Sequence, residues 1–125
     1  MSSPFSISYK AIGDISVSFL SALTKGTDEG KVVKISDDKT VSLCSQTDQF
    51  HGVVKVIDAA DSLATVQVSG FVTVPYTGDA PSAGLATLEA DDAGGVQIVA
   101  SPALGDRFYL IVDVDTTNGL VTFLL

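Results

Sequence analysis

Apolar side chains return at every second position along much of this chain. Phe5, Ile7 and Tyr9 alternate with Ser6 and Ser8; Ile15, Val17 and Phe19 follow the same beat, then Val66 and Val68, then Val72 and Val74. A period of two marks strands with one buried face, and Val and Thr, both abundant here, suit a pleated surface. Turn-forming residues interrupt these runs at regular intervals: Gly13-Asp14, Asp37-Asp38, Asp58 to Asp61, Gly78-Asp79, Asp91 to Gly95 and Asn118-Gly119. The pattern predicts strands over 5–9, 14–20, 31–36, 40–44, 52–57, 64–69, 71–76, 85–89, 96–100, 107–114 and 119–124. Glu occurs only at positions 29 and 89 and Met once, so helix is not expected beyond a turn near 18–24. Many short strands with regular turns mean an all-β chain, a small β-barrel or β-sandwich.

Two places carry structural information of their own. In Val66-Gln-Val-Ser-Gly70-Phe-Val-Thr-Val-Pro75, strict alternation puts Gly70 on the face of Val66, Val68, Val72 and Val74, midway along an otherwise clean strand. A missing inward side chain there suits a barrel corner or a bulge. Asn118-Gly119, between two apolar runs, predicts a two-residue hairpin, since both residues tolerate positive φ.

The chain also echoes itself. Gly30 precedes Asp37-Asp38 as Gly84 precedes Asp91-Asp92, Phe50 and Phe108 each open a strand, and Asp58 stands to Leu63 as Asp115 stands to Leu120. This predicts a β-barrel domain over 30–125 made of two related four-strand halves, 30–75 and 84–125. Residues 1–29 then form an extended N-terminal arm. An extended arm with Phe5, Ile7 and Tyr9 on one face can add a strand to another sheet edge, so these three are the candidate contacts to a neighbouring protein.

Composition narrows the function. The 125 residues carry seven Lys and Arg against fifteen Asp and Glu, a formal charge of −8. Polyanion binding needs clustered cations, and these are scattered, so neither nucleic acid nor an anionic membrane is an expected partner. Cys44 is the only cysteine, which excludes an intrachain disulfide and suits a reducing cytoplasm. The first residues show no signal-peptide pattern, and no apolar run approaches the ~20 residues that span a bilayer.

Candidate chemistry fails on spacing. Cys44 and His51 are the only thiol and the only imidazole, seven residues apart with no supporting motif. Asp113-x-Asp115-x-x-Asn118-Gly119 begins like a calcium loop, but Thr117 takes the fifth position, Gly119 falls at the seventh and Leu124 at the twelfth. The acidic pairs 37–38 and 91–92 read as solvated turn tips rather than catalytic carboxylates. The glycine stretches at 78–84 and 94–95 lack a phosphate-binding spacing. The expectation is therefore no enzyme, no cofactor and no metal.

Four segments together resemble a known group: GKVVKI, FHGVVKVIDAADSLATVQVSGFVTVP, APSAGLATLEADDAGGVQIV and ALGDRFYLIVDVDTTNGLVTFLL. They look like the capsid decoration (cement) and head-fibre proteins of tailed bacteriophages. The matching positions are Gly52-Val53-Val54; Val66, Val68, Gly70, Val72 and Pro75; Gly84 and Thr87; Asp91 to Val96; and Leu110 to Leu125, over about residues 26–125. The resemblance implies a non-enzymatic virion protein, made in the host cytoplasm. It would bind the major capsid protein on the outer capsid surface, as a homotrimer at three-fold or quasi-three-fold positions. The rival readings are another virion part, a head-fibre base or tail protein, and a carbohydrate-binding module, against which stands the absence of Trp.

Overall fold

The computed structural model describes residues 14–125, and among them every regular element is a strand. In chain order these are β1 (Ile15–Ser21), β2 (Val32–Asp37), β3 (Thr40–Leu43), β4 (Gly52–Asp58), β5 (Leu63–Ser69), β6 (Phe71–Pro75), β7 (Gly84–Ala90), β8 (Val96–Ile98), β9 (Phe108–Asp115) and β10 (Leu120–Leu124). The all-β reading and the strand positions from 14 onward agree with the period-two pattern. The strand expected at 5–9 lies outside the described residues.

The strands form two five-stranded units. The first closes into a barrel with order β1-β3-β2-β4-β5; the second is a sheet of order β6-β10-β9-β7-β8. Reading the second from its other edge exposes the relation. β6 stands where β1 does, β7 where β2 does, and so on to β10 and β5. The details repeat as well. Asp58 Oδ1 accepts the amides of Ala60 and Asp61, as Asp115 Oδ1 accepts those of Thr117 and Asn118. The residue before the returning strand has positive φ in both loops, Ser62 at 56° and Gly119 at 68°. Each hairpin then carries a bulge at the same step, between Val54 and Val56 in β4 and opposite Thr122/Phe123 in β9. The first barrel closes by parallel pairing of Leu20 with Thr40 and Ser21 with Val41, and the second makes one parallel bridge at the same place, Tyr76 with Val96.

This arrangement redraws the expected halves. β1 pairs with β5 along its length, so residues 15–21 are barrel wall rather than appended arm. β6 pairs with β10, so it belongs with the second unit and not with residues 30–69. The division falls at Gly70, the single residue between β5 and β6. There φ reaches 95°, and a Cβ would lie 2.9 Å from Asp14 Cα. Only glycine lets the chain leave one sheet for the other with Asp14 packed against it. The corner anticipated from Val66–Pro75 is thus a switch between sheets. Buried Gln67 straps it, donating through Nε2 to the carbonyls of Ser69 (3.0 Å) and Phe71 (3.1 Å) on either side.

Asn118-Gly119 also differs from expectation. Asp115 pairs with Leu120, leaving a four-residue loop, and only Gly119 has positive φ. Asn118 Nδ2 instead donates to Asp115 Oδ2 at 2.8 Å. The Asp115 carboxylate organises the loop, which removes the need for a tighter turn.

Two cores result. Val33, Val41, Val54, Ile57, Ala64 and Val66 fill the first barrel. The second core gathers Val72, Val74, Leu88, Ala90, Val96, Tyr109, Ile111, Val121 and Phe123 with Val32, Phe50 and Val53 from the first unit. Phe50 stacks on Tyr109 (centroids 5.0 Å apart), and Phe123 meets both rings edge-on at 5.7 and 5.3 Å. Such pairs add about 0.5–1.5 kcal/mol each beyond area burial. The units are therefore joined through a shared core.

Candidate interaction surface

The reactive residues are placed for structure. Cys44 packs against the second core, and burial, reinforced by the Asp48 carboxylate, pushes its thiol up to about 11. A thiol held protonated is a poor nucleophile. His51 accepts a hydrogen bond at Nδ1 from the Ile35 amide (2.9 Å), so the nitrogen a Cys–His dyad would use on that side is occupied. Asp48 is held below the usual carboxylate range by its hydrogen bond from Lys34 Nζ, 2.6 Å away, and by the Ser45 amide. Among the described residues no three His, Cys, Asp or Glu side chains are grouped to hold a metal ion.

The acidic pairs part company. Asp37 and Asp38 form a solvated turn, but Asp91 is buried, contrary to the reading of both pairs as turn tips. Its carboxylate accepts from Thr77 Oγ1 (2.6 Å), Ala93 N (2.7 Å) and Gly95 N (2.9 Å). These bonds tie the β7–β8 turn to the chain after β6, which offsets the cost of burying a carboxylate. One hollow, lined by Gln49, Glu89, Asp106 and Arg107 among others, holds ≈ 80 Å³. That is far below the ~300–1,000 Å³ of ordinary ligand pockets.

What the structure does assemble is an exposed apolar row. Register places Leu85 beside Leu110, Leu110 beside Leu124, and Leu124 beside Phe71, across β7, β9, β10 and β6. Leu85 is 73% exposed and Phe108, two residues from Leu110 on the same face, 60%. The corresponding row of the first unit is Val32, Val53, Gln67 and Ser16, and there Val32 and Val53 are buried under the second unit. One face of the repeated unit is thus covered in the first copy, whereas in the second its Leu85, Leu110 and Leu124 are exposed. Sequence reasoning missed this row. Its signal was β9 itself, Phe-Tyr-Leu-Ile-Val, which is apolar on both faces where a half-buried strand would alternate.

Of the residues singled out from sequence, Gly70 lies at the sheet switch and Asn118 and Gly119 in the β9–β10 loop, at separate places. Phe5, Ile7 and Tyr9 lie outside the described residues.

No protein-family model matches this sequence, nor does any curated protein. Among solved structures, the head fiber gp8.5 N base of bacteriophage phi29 matches with a TM-score of 0.57 and 18% identity, over 90% of this chain and 93% of that one. The two share a fold. The likeness spans both units, so it concerns the whole arrangement of barrel and sheet rather than one hairpin.

Proposed function

We propose that this protein is a structural component of a tailed-phage virion, bound to the outside of the head shell and bridging neighbouring shell subunits as a decoration protein. The observation that carries the reading is the fold likeness to a head-fibre base over nearly the full length of both chains. The sequence resemblance to decoration and head-fibre proteins points the same way. The physical build suits it: a barrel and a five-stranded sheet joined through a common core make a stiff body, and the chain offers an exposed apolar row in place of a pocket. We assign Leu85, Leu110 and Phe108 to the contact with the shell, because bare apolar rows of this kind mark protein interfaces. A homotrimer on a three-fold position would gain strength through effective concentration, each weak contact raising the occupancy of the others.

The test is to mix purified protein with expanded and unexpanded phage heads and to image them. Saturable occupancy at symmetric positions supports the reading, and no binding to either form of the head, with tails bound instead, overturns it. A second reading, the base of a head fibre, is favoured by the fold likeness to the phi29 head fiber N base. Extended density projecting outward from each bound base would select it.

A further inference from the structure

The loops that lead into β4 and β9 contain the same turn. In the first, the Ser45 amide donates to Asp48 Oδ2 (2.9 Å) and the Asp48 amide to Ser45 O (3.1 Å). In the second, the Ala103 amide donates to Asp106 Oδ2 (2.7 Å) and the Asp106 amide to Ala103 O (3.1 Å). The third residue has positive φ in both, Thr47 at 72° and Gly105 at 98°. Their surroundings differ. The first turn lies across the second unit, where the Thr47 amide donates to Ala90 O and the Ala90 amide to Asp48 O, both at 2.9 Å. The second turn faces solvent: residues 100–108 are exposed, and Leu104 at its tip is completely so. The place where the first turn sits is repeated as well. Leu88 and Ala90, at the end of β7 that this turn meets, are 4% and 0% exposed. Since Leu85 matches Val32, the positions matching Leu88 and Ala90 are Ile35 and Asp37 of β2. Ile35 stands opposite buried Val41, on the core face, yet is 49% exposed, and Asp37 is exposed too. Each chain therefore holds one seated turn, one matching turn in solvent and one matching strand end in solvent.

We propose that the second turn of one copy seats on the first unit of another copy, with Leu104 against Ile35 and Arg107 beside Asp37 and Asp38. The contact that Thr47 and Asp48 make with Ala90 inside one chain is thereby repeated between chains. Charge agrees. Arg107 is the chain's only arginine, and the neighbouring Asp106 carboxylate is already held by the Ala103 amide. The receiving turn presents Asp37 and Asp38, with Lys39 beside them, all exposed. Burying Leu104 on Ile35 removes two large apolar side chains from water, and the opposite charges fix the orientation. Phe108 lies on the outer face beside Thr87 and stays with the row at Leu85 and Leu110, so the contact between copies and the contact with the shell use separate surfaces. Donor and acceptor are different patches, which makes the association head-to-tail, and such contacts close into rings when the rotation per copy allows. The inference rests on the trimer reading above for the number of copies alone.

Mixing variants of the full-length chain tests this without any phage particle, so its failure is distinct from a failure to bind heads. Sedimentation velocity should show the wild type as assemblies larger than a monomer. Leu104→Asp with Arg107→Glu removes the donor, and Ile35→Asp removes the acceptor. Asp37→Lys with Asp38→Lys is a second acceptor variant at exposed positions, and it carries the test if Ile35→Asp unfolds the barrel. Each variant alone should associate about tenfold more weakly than wild type, or less still, with far-UV circular dichroism unchanged. An equimolar mixture of donor and acceptor variants should then form a heterodimer and stop there, because one intact turn and one intact strand end remain between them. A wild type that is monomeric at every concentration would overturn the proposal, as would undiminished assembly of the donor variant. A mixture that regains no dimer would overturn it in favour of a contact in which one patch meets itself.

Discussion

Gly70→Ala is the substitution that tests the architecture most directly. At φ 95° an L side chain is strained, which costs about 1–3 kcal/mol. The new methyl also meets the Asp14 backbone, its Cβ 2.9 Å from Asp14 Cα, closer than real contacts come. The chain cannot swing aside freely, because Ile15 pairs with Ser69 and the Leu125 amide bonds Gly70 O at 2.9 Å. Overpacking of this kind adds about 1–3 kcal/mol. Gly78→Ala is the control: φ is 80°, but nothing lies within 4 Å of the added Cβ, so only the strain applies. The two variants should differ by about 2 kcal/mol in urea titrations with equal slopes, or by about 8 °C in melting temperature for a chain of this size. Equal losses in the two variants would refute the idea that the switch is held by apposition of Asp14, and a Gly70→Ala protein as stable as wild type would refute the backbone argument altogether.

Four further outcomes are expected. Phe123→Ala removes the ring that meets both Phe50 and Tyr109, and thermal unfolding should show a loss of about 3–5 kcal/mol. Cys44, with its thiol raised to about 11, should be alkylated at pH 8 at least tenfold more slowly in the folded chain than in urea. Asp28, Asp48 and Asp115 are held below the usual range, Asp28 chiefly by the Thr24 amide, Asp48 by Lys34 and Asp115 by Asn118. Their stabilisation is complete above the unfolded carboxylate value and lost as pH falls through the lowered folded ones, so urea midpoints should be level from pH 7 to 5 and decline below about pH 4. Leu85→Asp with Leu110→Asp changes two exposed positions; far-UV circular dichroism should be unchanged while binding to phage heads falls at least tenfold, and full binding by the double variant would remove the row from the proposed contact.

Much of the fold was legible because strand formation is local. Alternation of Val with polar residues, and Asp or Gly at each break, set ten strands within a residue or two of their places. The repeat showed in Asp58-to-Leu63 and Asp115-to-Leu120, because both loops use the same carboxylate-to-amide bonds. Which strands pair is not local, and there the sequence was silent. Nothing in Phe71–Pro75 distinguishes a continuation of β5 from a first strand of the next unit; the positive φ at Gly70 and the pairing with β10 decide it.

Burial was decided in the same way. Asp91 and Asp37 open similar turns in the sequence, yet one is buried with three donors and the other is exposed. Val32 and Leu85 occupy matching places in the two units, and only the shared core covers the first and leaves the second bare. Sequence alone determined the class of structure, the strand positions and the poverty of reactive groups, since each follows from the residue types and their spacing. The tertiary structure alone decided which apolar faces meet one another and which remain for a partner, because that depends on contacts between residues far apart in the chain.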